Sequence, residues 1–186
     1  MKITYVTGNK AKIDSARMYL EPLGIEVDNI KMEIDEIQSD TCEDVVIHSV
    51  KEAYKKVKHP VLKNDSGLFI ESLNGFPGVY THCVEDTIGE DGILKLMEDK
   101  TNRNAKFIEV YAYMEDEDNI KIFTSVTKGT ISYNKSGTYG WSYDYIFIPE
   151  GKEKTLANYK DSERYKLWDD TGLKELSNYL KENKHD

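Results

Sequence analysis

The chain has 186 residues, and 25 Lys+Arg against 34 Asp+Glu leave it with a formal net charge of −9. That length suits one domain with a real core and leaves no room for two large ones, since domains run to roughly 100–200 residues. An acidic chain is a poor general binder of nucleic-acid backbones, and no apolar run here approaches the ~20 residues needed to span a bilayer.

In chain order, Ile3 to Val6 alternates as a short strand and ends at Thr7-Gly8-Asn9. Ile13, Ala16, Leu20 and Leu23, three or four apart, predict a helix stopped by Gly24, and Ile25 to Met32 reads as a second strand. Val46, Val50, Ala53 and Val57 predict a second helix after the acidic start Glu43-Asp44, which suits a helix N-terminus. His59-Pro60 closes it and Val61-Leu62 opens another strand. A β-α-β-α-β order favours an α/β sheet.

Asn64-Asp65-Ser66-Gly67 interrupts two apolar stretches, and Asn74-Gly75-Phe76-Pro77-Gly78 places two turn dipeptides around an aromatic. A third helix is predicted from Asp91 to Glu98. Phe107 to Met114 and Ile120 to Val126 form a predicted hairpin across the acidic turn Glu115 to Asn119, with Thr130 to Tyr133 extending its sheet. Tyr145 to Ile148 is one more strand, and Leu173, Leu176 and Leu180 mark a C-terminal helix. The expectation is a single α/β domain over residues 1–186, possessing two lobes around a cleft. Met1-Lys2-Ile3-Thr4 reads as a strand start rather than a signal peptide, so a cytoplasmic protein is expected. Cys42 and Cys83 lie far apart, and His48, His59, His82 and His185 have no metal-ligand spacing, which argues against disulfide, thiol and zinc chemistry.

Three segments can carry chemistry. Thr7-Gly8-Asn9-Lys10-Ala11-Lys12 sits at a strand-to-helix junction, where a glycine admits a ligand to the backbone and a helix start favours an anion. Thr7 and Asn9 can hydrogen-bond phosphate oxygens and Lys12 offers a point charge. The competing reading is a helix capped by Asn9 with both lysines solvated. At Asn64-Asp65-Ser66-Gly67 a carboxylate can hold magnesium, which commonly takes one or two carboxylates plus substrate phosphates; the competing reading is a plain turn. Ser66 is no hydrolase nucleophile, because the Gly-x-Ser-x-Gly elbow is absent. At Gly140-Trp141-Ser142-Tyr143-Asp144-Tyr145 an aromatic beside glycine suits a stacked base, with Asp144 accepting from base or sugar; alternatively Trp141 and Tyr143 fill the core and Asp144 caps a turn.

Taken together and in this order, the segments resemble the inosine/xanthosine triphosphate pyrophosphatases. The family pattern Ser/Thr-Gly-Asn-x-x-Lys is matched by Thr7 to Lys12. Asp/Glu-Asp-Ser-Gly-Leu followed by Leu-Asn-Gly-x-Pro-Gly-x-Tyr-Ser is matched by Asn64 to Leu68 and Leu73 to Thr81, and the later Gly-Phe/Tyr-Gly-Tyr-Asp-x-x-Phe by Gly140 to Phe147. Several motifs in register over most of a chain are far more specific than one alone.

The resemblance implies an elongated mixed β-sheet with flanking helices and two lobes around a central nucleotide cleft, usually as a homodimer. It implies hydrolysis of ITP, dITP or XTP to the monophosphate and pyrophosphate with Mg2+. Thr7, Gly8, Asn9 and Lys12 would grip the triphosphate. Asp65 would bind metal and activate water, with Ser66 beside it on the substrate and Glu36 as second acidic ligand. Lys51 matches a phosphate-binding lysine, though a gap places Ser49 there instead. Trp141 and Tyr143 would meet the base, and Asp144 would orient the nucleotide. A triphosphate carries close to four negative charges, so an acidic protein needs local cations and a metal to admit it.

The departures from the pattern that bear on the metal and the base lie at Asn64 and near the C-terminus. Asn64 replaces the usual acid before Asp65, removing one negative charge. No Ser-His-Arg exists near the C-terminus: counted without gaps that position falls on Trp168-Asp169-Asp170 with Glu163-Arg164 as the preceding Glu-Lys, whereas a shifted alignment puts Ser162-Glu163-Arg164 there and keeps Arg164 as a base contact. Asp169 or Asp170 could accept from an amino group, or simply begin the last helix. Altered base preference, or a nucleotide-binding homodimer without turnover, are the alternatives to the pyrophosphatase reading.

Overall fold

The computed structural model describes residues 1–183, so His185 lies outside the described residues. The strands are β1 (Lys2–Val6), β2 (Glu26–Ile30), β3 (Val61–Ile70), β4 (Pro77–Gly78), β5 (Asn104–Met114), β6 (Ile120–Ile131) and β7 (Phe147–Pro149). The helices are α1 (Lys10–Leu20), α2 (Cys42–Val57), α3 (Thr81–Thr87), α4 (Gly89–Leu96), α5 (Asp161–Arg164) and α6 (Thr171–Glu182). Sheet order is β2-β1-β3-β5-β6-β7, with β4 on β3. β1 pairs in parallel with β2 and with β3, while β4 on β3 and β7 on β6 are antiparallel. The fold is thus the mixed α/β sheet expected. No helix among the described residues is long and apolar enough to cross a membrane.

The main difference from expectation lies in β3. Asn64 to Gly67 is no turn but the middle of one ten-residue strand. Turn-prone residues are tolerated there because tertiary partners satisfy them: Asn64 bonds inside the core, and Gly67 lets β4 approach so closely that a Cβ would stand 2.3 Å from the Gly78 carbonyl oxygen. The predicted third helix is α4, running from Gly89 to Leu96, and a short helix that the sequence pattern did not indicate, α3, precedes it; the two are separated at Gly89, whose φ is +58°. The strand predicted from Tyr145 shrinks to β7, because Ser142–Tyr145 winds into a 3₁₀ turn.

The chain divides into two compact units. The first comprises Met1–Asp65, Glu109–Ser125 and the chain from Asp170 onward. Its core joins Ile3 and Tyr5 of β1, the Ala16/Leu20 stripe of α1, Tyr111 and Tyr113 of β5, and Leu173, Leu176 and Leu180 of α6. The three- and four-residue spacing in both helices puts those side chains on one face, and each fully buried leucine contributes about 2 kcal/mol. The Tyr19 hydroxyl donates to Asp170 at the head of α6, and the Ser177 hydroxyl donates to the Tyr19 carbonyl at 3.2 Å.

The second unit comprises Ser66–Ile108 and Val126–Asp169. Phe107 lies edge-on to Phe147 and Trp168, with ring centroids 4.8 and 4.9 Å away. Arg103, 8% exposed, donates to four backbone carbonyls, those of Met97, Lys100, Ile131 and Ser132. It thereby ties the end of α4 to β6, satisfying carbonyls that the helix itself cannot.

Candidate active site

In the first unit the loop after β1 is ordered by its own side chains. Asn9 caps α1, its Oδ1 accepting the Lys12 N–H at 3.3 Å, while Thr7 Oγ1 accepts the Asn9 N–H at 3.1 Å. The cap is therefore present, but Lys12 is paired rather than solvated. Gly8 is exposed, whereas Thr7, Asn9 and Lys12 are half-buried. The Lys12 ammonium is turned to Glu109 of β5, 3.5 Å from its Oε1.

Asp65 is half-buried on β3, and Lys63 leaves the strand two residues earlier, on the same face. Burial holds the Lys63 amine below its ordinary value and Lys12 pushes the same way, while Glu36 and Asp65 oppose them. Lys12, Glu36 and Asp65 thus all act on the charge of Lys63 within the first unit. Cys42, the first residue of α2, is buried beside it; burial pushes its thiol up to about 12, helped by the charge of Asp65 and a hydrogen bond to that carboxylate. The thiol consequently stays protonated at neutral pH. Among the described residues no three His, Cys, Asp or Glu side chains are grouped to hold a metal. Glu36, exposed on the segment before α2, and half-buried Asp65 are carboxylates, the kind of donor magnesium takes beside phosphate and water oxygens.

Lys51 does not face inward. It lies on the exposed side of α2, while Ser49, the alternative, is buried at 3% exposure. The lysine set among the acids is Lys63, which carries no motif and which sequence reading passes over. The Asn64 side chain is engaged at both ends: its Oδ1 accepts from Tyr5 and its Nδ2 donates to Glu109.

In the second unit Trp141 and Tyr143 divide the two readings of their segment. Trp141 is 54% exposed and Tyr143 only 5%. The Tyr143 hydroxyl donates to the Thr81 carbonyl at 2.9 Å, so this ring supports the loop from inside. Asp144 turns back on its own loop: its Oδ2 accepts the Trp141 N–H at 3.2 Å and lies 3.7 Å from Nε of Arg164. Gly140, at φ +74°, makes room for that return, since a Cβ would stand 2.1 Å from Oδ2. Burial raises the Asp144 carboxyl, against the pull of the Trp141 N–H and Arg164. Arg164, 3% exposed, also donates to Asp161 and to the Tyr159 carbonyl, so its guanidinium works inside the protein. Ser66 is half-buried on β3.

The residues at the Ser-His-Arg position serve structure. Trp168 belongs to the aromatic cluster. Asp169 accepts the Val126 N–H at 2.8 Å while its own N–H donates to Thr127. Asp170 occupies the N-cap position of α6 and pairs with Lys174 at 2.6 Å, the role expected of an acid opening the last helix.

Comparison with known proteins agrees with the motifs. The sequence profile of the Ham1 family matches residues 3–169. A dITP/XTP pyrophosphatase of Thermococcus kodakarensis is 43% identical over 98% of this chain and 99% of its own length. One of Pyrococcus horikoshii is 47% identical over 90% of this chain and 89% of its own. A solved HAM1 protein from Coxiella burnetii superposes with a TM-score of 0.86 at 28% identity, covering 98% of this chain and 99% of that one. The Staphylococcus aureus Ham1 protein has the same TM-score at 24% identity, covering 99% of this chain and all of that one, and shares the fold. With the profile spanning most of the chain and relatives this similar over nearly all of it, the chain belongs to the Ham1 family.

Proposed function

We propose that this chain is a nucleoside triphosphate pyrophosphatase that hydrolyses purine nucleotides carrying hypoxanthine or xanthine, dITP, ITP and XTP, to the monophosphate and pyrophosphate. The observation that carries the reading is the loop and strand geometry of the first unit, where Asn9 caps α1 through the Lys12 N–H, Lys12 stands half-buried at that helix start, and Lys63 and Asp65 share one face of β3. It offers cations for phosphate and carboxylates for metal and water, in a chain 43% identical to a dITP/XTP pyrophosphatase.

In this reading Thr7, Asn9 and Lys12 bind phosphate oxygens, with exposed Gly8 admitting them to the backbone. Lys63 adds a second positive charge. Asp65 orients a water toward the α-phosphorus and takes its proton as the new P–O bond forms; the bond from the α-phosphorus to the β-bridging oxygen breaks and pyrophosphate leaves. Glu36 and Asp65 would hold Mg2+, whose charge offsets that of the phosphates. Most of the rate comes from positioning and charge neutralisation rather than covalent help. Trp141 offers a face for the base, and Asp144 with Arg164 fixes the loop that carries it. A homodimer belongs to the same reading, with exposed Tyr80 as a candidate contact, and so does a cytoplasmic setting beside the nucleotide pool.

The test is product analysis with dITP and magnesium. Deoxyinosine monophosphate and pyrophosphate in equal amounts are expected, and Asp65→Asn should reduce their formation by at least a thousandfold without loss of fold. Release of inorganic phosphate instead, or an Asp65→Asn variant of near-normal rate, would overturn the reading.

A further inference from the structure

Asn64 and Glu109 belong to no role assigned so far, yet they form a continuous chain of polar contacts behind the phosphate loop. The Tyr5 hydroxyl, fully buried, donates to Asn64 Oδ1 at 2.8 Å. Asn64 Nδ2 donates to Glu109 Oε1 at 2.7 Å, and the same oxygen faces the Lys12 ammonium at 3.5 Å. Partner chemistry fixes the orientation of the amide, because a flipped Asn64 would aim its oxygen at a carboxylate. Asn64 is 7% exposed, so it holds Glu109 from inside the protein. The Lys12 and Glu109 side chains are 29% and 24% exposed, leaving the pair reachable by a ligand.

Glu109 belongs to no three-ligand metal group among the described residues. The cation in contact with it is Lys12. A carboxylate beside a phosphate-binding ammonium has a definite effect: it competes for that ammonium with every phosphate that enters and repels the incoming charge. The site therefore holds phosphate less tightly than Lys12 alone would. That matters for an enzyme whose product is itself a polyphosphate, because uniform tightening slows release without helping the chemistry. Position 64 is also where the sequence pattern has an acid; here the negative charge stands on the neighbouring strand, with an amide at 64 to hold it.

We propose that Glu109, anchored by Asn64, is a positioning residue that weakens the grip of Lys12 on polyphosphate so that pyrophosphate can leave. The inference rests on the pyrophosphatase reading, and its test separates the two.

Binding of inorganic pyrophosphate is measured by calorimetry in magnesium buffer for the wild type, Glu109→Gln and the double variant Asn64→Asp/Glu109→Gln. Glu109→Gln keeps an oxygen for the Asn64 amide but removes the charge. It should bind pyrophosphate about tenfold more tightly, close to 1.4 kcal/mol, with a lower KM for dITP and no rise in kcat. The double variant returns a carboxylate to the adjoining position 64, whose side chain lies 2.7 Å from that of Glu109, and should restore the dissociation constant to within about threefold of the wild type, which a merely structural role for Glu109 does not predict. Should Glu109→Gln fail to fold, Glu109→Asp withdraws the carboxylate by one methylene and should bind about threefold more tightly. Unchanged or weaker pyrophosphate binding in the folded variant overturns the proposal. If the wild type releases pyrophosphate from dITP and Glu109→Gln binds it no better, only this inference falls; if the wild type neither releases nor binds pyrophosphate, the pyrophosphatase reading falls with it.

Discussion

Arg164 and Asp144 hold each other within the second unit, Nε to Oδ2 at 3.7 Å, with the arginine 3% exposed. The same carboxylate oxygen accepts the Trp141 N–H. Two residues that the motifs mark as nucleotide contacts are thus the internal brace of the loop presenting Trp141. Breaking a buried pair leaves a charge without compensation, at about 3–5 kcal/mol. Arg164→Met is expected to lower the unfolding free energy by about 3 kcal/mol in urea titrations. Asp144→Asn, which still offers an oxygen to the Trp141 N–H, should lose less. An Arg164→Met protein as stable as the wild type would show that the brace is unimportant.

Trp141 itself is more than half exposed, so its removal opens no cavity in the core. Base stacking on an aromatic contributes about 1–3 kcal/mol by alanine substitution. Trp141→Ala should therefore raise KM for dITP by about ten- to a hundredfold, with kcat within a factor of three and an unchanged melting temperature. A variant with the wild-type KM removes Trp141 from the base site.

The contact between Tyr19 and Asp170 makes stability depend on pH at both ends of the scale. Burial, reinforced by the Asp170 hydrogen bond and charge, pushes the Tyr19 phenol from 10.0 up to about 12. A folded-state value above the unfolded one means that this contribution is complete below pH 10 and is lost as pH rises toward 12. At Asp170 burial acts upward, but the hydrogen bonds from Lys174 and Tyr19 prevail and hold the carboxyl below its ordinary 3.8. Its contribution is present above that value and disappears as pH falls below it. Tyr19→Phe should cost about 1 kcal/mol at pH 8 and flatten the alkaline limb of the stability profile. The same alkaline loss in wild type and Tyr19→Phe would assign that limb to other groups.

The helices were the most legible part of the chain, because their signal is local. The stripes Ile13-Ala16-Leu20 and Leu173-Leu176-Leu180 are buried faces of α1 and α6, and Asn9 caps the first of them. The residues passed over, Lys63 and Glu109, carry no motif and gain meaning only from neighbours distant in sequence. Glu109 meets Asn64 forty-five residues away because β5 lies beside β3, and no periodicity encodes that pairing. The error over Asn64 to Gly67 has the same origin. Asp-Ser-Gly favours a turn when only local preferences act, whereas Tyr5, Glu109 and the close approach of Gly78 keep the segment extended. The motifs mark positions along the chain, but the side-chain directions there, such as buried Tyr143 against exposed Trp141, depend on packing that the motif does not contain.

The most direct test of the central claim is pyrophosphate release with magnesium from dITP, ITP, XTP, dGTP, GTP, ATP and the pyrimidine triphosphates at equal concentrations. The expected kcat/KM is at least a hundredfold higher for dITP, ITP and XTP than for GTP or ATP, despite Trp168-Asp169-Asp170 in place of Ser-His-Arg. Equal rates across the panel, or no release from a folded protein that still binds nucleotide, would contradict it.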